Sequence, residues 1–92
     1  MPASSINFAS FVLSLAATAA VHFGDRLEPG TTEAGPVDLE SAEQMIDILA
    51  LLEEKTRGNL TAEERQLLET IVYELRLRFV EAQGEHTRII TP

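Results

Sequence analysis

The sequence predicts an all-α protein: an N-terminal apolar helix, a long loop, then an antiparallel helical hairpin, the whole forming an oligomeric helical bundle. Three observations predict it. Residues 38–57 and 61–83 are two capped amphipathic segments separated only by the turn Gly58-Asn59-Leu60. Residues 6–23 are strongly apolar, yet carry a polar residue every fourth position from Ser10 to His22. Finally, 92 residues without cysteine make one small domain that buries only about 60–65% of its unfolded surface when folded alone, and no disulfide can staple it. The expected organisation is a single helical domain over residues 1–83, with helices at 7–23, 38–57 and 61–82, and a flexible tail over 84–92.

The first helix has competing explanations. A signal peptide needs a basic leader, and residues 1–7 contain no Lys or Arg, although Ala17-Thr18-Ala19 has the small residues of a cleavage site. A transmembrane helix needs about 20 apolar residues, and this run is shorter and has no basic flank. Ser10, Ser14, Thr18 and His22 line one slowly drifting stripe, with Phe8, Phe11, Val12, Leu15, Ala16, Ala19 and Phe23 opposite. A narrow polar seam beside a wide apolar surface favours a buried or interface helix. His22 ends that seam near Asp25, where a helix C-terminus favours a cation.

Gly24 is the natural stop for this helix. Residues 25–37 follow with Pro29, Gly30, Gly35 and Pro36, which is loop chemistry. A loop of this length can let the first helix pack on its own hairpin or be exchanged between subunits.

Asp38 is an N-cap, and Leu39, Ala42, Ile46, Leu49 and Leu52 recur at helical spacing, widened by Met45, Ile48 and Leu51. Glu53 and Arg57 stand four apart in the order that suits a helix pair. Gly58 then caps the helix. Thr61-Ala62-Glu63-Glu64 is a capping box, which gives Thr61 a structural role within what otherwise matches a glycosylation sequon, Asn59-Leu60-Thr61. In the third helix Leu67, Leu68, Ile71, Val72, Leu75 and Phe79 form the main face. Tyr73, Leu77 and Val80 form a second stripe, and two stripes call for two packing partners. Glu74 and Arg78 form another four-apart pair.

The charge balance, 15 acidic against 7 basic residues for a net charge of -8, argues against nucleic acid and against anionic membranes. No constellation for catalysis is present: there is no cysteine, the serines lack a base, and Glu43 and Asp47 share a face that should be solvated. No Glu-x-x-His motif offers a bundle metal site, so no cofactor or metal is expected. The sequence therefore predicts a non-enzymatic interaction or scaffold protein acting as a homo-oligomer, with a dimer favoured and an unidentified protein partner as a further occupant. Phe8, Phe11, Leu15, Tyr73, Leu75, Leu77 and Phe79 are the interface candidates. Two alternatives differ in class. One is a membrane-associated accessory protein anchored through the first helix. The other is a ligand-binding bundle with a cavity lined by Ser14, Thr18 and His22.

Four blocks carry a family resemblance: Phe11-Val12-Leu13-Ser14-Leu15-Ala16, Ile46-Asp47-Ile48-Leu49, Glu54-Lys55-Thr56-Arg57-Gly58-Asn59-Leu60-Thr61, and Tyr73-Glu74-Leu75-Arg76-Leu77-Arg78-Phe79-Val80-Glu81. With these the chain resembles DUF1844, a family of small bacterial proteins of unknown function, over Phe8 to Glu81. The block Glu54 to Thr61 is the most specific, and the loop Arg26 to Pro36 departs most from the pattern. The resemblance implies a small bacterial, cytoplasmic protein that keeps its first helix. It carries over no functional residue.

Overall fold

The computed structural model describes residues 6–25 and 36–90, with side chains described to Gly84. Three helices are present among them: α1 (Phe8–His22), α2 (Leu39–Lys55) and α3 (Ala62–Ile90). The middle of the predicted loop lies outside the described residues.

Each helix begins where a side chain can take up an orphaned backbone N–H. At α1 the cap is Asn7, whose Oδ1 accepts from the Ser10 N–H at 2.8 Å while Ser10 Oγ accepts from the Asn7 N–H at 3.2 Å. The sequence reading missed this cap by treating Ser10 only as part of the polar seam. At α2 the Asp38 carboxylate accepts from the Ser41 N–H at 3.1 Å and from its hydroxyl at 2.7 Å. At α3 the capping box forms as expected: the Thr61 N–H donates to Glu64 Oε1 at 2.9 Å, and the Glu64 N–H donates to Thr61 Oγ1 at 3.1 Å.

The helix ends are equally local. Gly24 takes φ 105°, with its N–H donating to the Val21 carbonyl and the Asp25 N–H donating to the Ala20 carbonyl. That pair of bonds is a Schellman motif, and it needs the left-handed conformation that Gly adopts without strain. Gly58 at φ 87° turns the chain between α2 and α3. α2 itself stops at Lys55, two residues short of the expected 57, where the Thr56 hydroxyl donates to the Leu52 carbonyl at 2.7 Å.

The core is shared by all three helices: Val12, Ala19 and Phe23, then Ala42, Ile46 and Leu49, then Leu68, Ile71, Val72 and Leu75. Val12, Ala19, Ala42, Leu49 and Leu68 are completely buried. Alanine at Ala19 and Ala42 lets helix backbones approach closely. α1 thus packs on its own hairpin, against both α2 and α3. The two ends of the loop are also tied together, since the Asp38 N–H donates to the His22 carbonyl at 2.8 Å.

Two expectations need correction. The segment 84–90, read as a tail, continues α3 to Ile90. Gly84 is exposed with open space around its Cα, and a helical glycine there costs only about 1 kcal/mol relative to alanine, too little to end a helix. Residues 91–92 lie outside the described residues. Arg78 does not pair with Glu74 four residues before it. It reaches Asp25, just beyond α1, through two hydrogen bonds of 2.9 and 2.5 Å.

Candidate interaction surface

The seven interface candidates separate by depth. Leu75 is 8% exposed and belongs to the chain's own core. Its position on α3 faces α1 and α2, so it is not surface available to another molecule. Phe8, Leu15 and Phe79 are half-buried and pack against that core. Phe11, Tyr73 and Leu77 reach solvent at 48%, 68% and 47% exposure. Phe11 was expected on the core side of α1. Only Phe8, Val12, Leu15, Ala16, Ala19 and Phe23 occupy the arc that the hairpin covers, and Phe11 lies at its edge beside Thr18.

Leu13, Val21, Ile48, Leu51 and Val80 join the exposed set. The sequence reading placed Ile48 and Leu51 on the flanks of the α2 core face and Val80 on a second stripe. It did not single out Leu13 or Val21. Their signal was available, because both fall on the arc of α1 that carries Ser10 and Ser14 rather than on the arc that carries Val12 and Ala19. Each helix therefore has a core face and a separate apolar surface in water.

The polar seam of α1 faces solvent and satisfies itself. The Ser14 hydroxyl donates to the Phe11 carbonyl at 2.7 Å, and the Thr18 hydroxyl donates to the Ser14 carbonyl at 3.1 Å. Ser14 and Thr18 are exposed. They do not line an internal cavity with His22, as the ligand-binding reading required. A cleft of about 340 Å³ opens instead at the turn end of the hairpin, between Glu53 and Arg57 of the α2 side and Leu60, Arg65 and Glu69 of the α3 side. Arg65 and Glu69, one turn apart on the α3 side, form a loose ion pair at 3.7 Å.

Among the described residues, the one long-range contact between polar side chains is a clasp. Arg78 grips Asp25 with both terminal nitrogens and lies over the Phe23 ring, 4.9 Å from its centre. The hydrogen bonds from Arg78 hold the Asp25 carboxyl below its ordinary pKa and raise that of Arg78. Both side chains remain about 40% exposed, so the pair contributes about 0.5–1 kcal/mol at most. Its role is geometric: it fixes the end of α1 against α3. The hydrogen bonds from Ser41 likewise hold the Asp38 carboxyl below its ordinary value, with a smaller contribution from the nearby His22.

Among the described residues no group of three or more His, Asp or Glu is placed to hold a metal ion. No described helix is long and apolar enough to cross a membrane. Glu43 and Asp47, the one pair of carboxylates considered for acid–base work, are both exposed.

No curated protein and no solved structure matches this chain. The family described as Domain of unknown function (DUF1844) matches it over residues 5–81, a span that takes in the caps, the hairpin turn and the core just described. That span is most of the 92 residues, and the chain belongs to the DUF1844 family.

Proposed function

We propose that this protein is a non-enzymatic helical interaction module that acts as a homo-oligomer, a dimer in its simplest form, in the cytoplasm. One observation carries the reading. Large apolar side chains stand in water on every helix: Phe11 and Leu13 on α1, Ile48 and Leu51 on α2, Tyr73, Leu77 and Val80 on α3, each at least 46% exposed. Single exposed apolar residues are ordinary, whereas repeated apolar positions on all the helices of one small domain mark surface meant for contact.

The core supports the same conclusion. It contains no buried polar or charged residue among those described, so no titratable group is held in the desolvated setting that tunes a catalytic acid or base. The net charge of -8 keeps the chain soluble despite its apolar surface and disfavours phosphate-rich partners. A membrane-associated role is the second reading, because α1 alone presents Phe11, Leu13 and Val21 outward.

Size-exclusion chromatography with light scattering tests the first reading. The expected mass is twice 10.1 kDa or a higher multiple, and 10.1 kDa at all concentrations would overturn it. Flotation with zwitterionic lipid vesicles tests the second. Recovery of the protein with vesicles as a monomer would replace the oligomer reading with the membrane one.

A further inference from the structure

We draw no further inference here: the strongest candidate, the uncharged outer face of α1, where Phe11, Leu13 and Val21 stand in water beside the hydroxyls of Ser10, Ser14 and Thr18 that donate to their own helix, carries nothing because nothing in the structure shows what covers it.

Discussion

The inner and outer faces of α3 are made of similar residues and have opposite fates. Leu68, Ile71, Val72 and Leu75 point inward and are at most 8% exposed. Tyr73, Leu77 and Val80 come from the same stretch of helix, and all are at least 47% exposed. Helical periodicity assigns each set to a face but does not say which face the fold consumes. Burial does. α1 and α2 form one layer on one side of α3, and two short helices cannot also reach round to the other. The lesson is that α3 has one face that makes the domain and another that is free to make contacts.

The largest effects should come from breaking the inner face. Leu68→Ala removes a fully buried side chain and should cost about 2–5 kcal/mol of unfolding free energy, measured by urea denaturation below the dissociation threshold of any oligomer. Leu77→Ala in the same experiment should cost much less, about 0.5 kcal/mol, because the side chain already stands 47% exposed and leaves no cavity in the core. Equal losses at the two positions would erase the distinction between the faces.

Next in size are the local devices that start and stop the helices. Thr61→Ala deletes half of the capping box and should cost about 1 kcal/mol. Gly58→Ala should cost a similar 1–2 kcal/mol, approximately, because the site has open space but a left-handed backbone that a β-carbon disfavours. Thermal unfolding reads both. A stabilised Gly58→Ala chain would mean that the turn can relax, and that the angle between α2 and α3 is not set by Gly58.

The clasp between Asp25 and Arg78 should give the smallest effect. The Asp25 pKa is lowered in the folded chain, so its contribution is present above the ordinary carboxylate pKa and is lost as pH falls through the folded value. Asp25→Asn should reduce stability at neutral pH by under about 1 kcal/mol and flatten part of the acid limb of a stability–pH profile. An unaltered profile would show that the clasp is exchanged freely with water.

These contacts also show what a sequence makes legible. The caps at Asp38 and Thr61, the stop at Gly24 and the turn at Gly58 could be read because each depends on residues within about four positions, although the C-cap of α2 is Thr56 and not Gly58. The main face of α3 could be read because its period is regular. The partner of Arg78 could not. Glu74 lies one turn away and satisfies every local criterion, whereas Asp25 is 53 residues distant and is brought close only by the packing of α1. The exposure of Phe11 escaped for a related reason: an apolar arc wider than the hairpin does not reveal where cover ends. The extension of α3 past Gly84 escaped because residues 84–92 carry no helical apolar period, while one exposed glycine costs too little to end a helix. Of the interface candidates, Tyr73 and Leu77 were identifiable as a second stripe, while Leu75 needed the fold to show that it is core.

The dependence of unfolding on protein concentration tests most directly whether the exposed apolar faces are completed by another copy. A chain that unfolds from an associated state gains about 1.4 kcal/mol for each tenfold rise in concentration, so the urea midpoint should climb steadily across a hundredfold range. A reversible midpoint that stays fixed over the whole range would show a self-sufficient monomer and contradict the account.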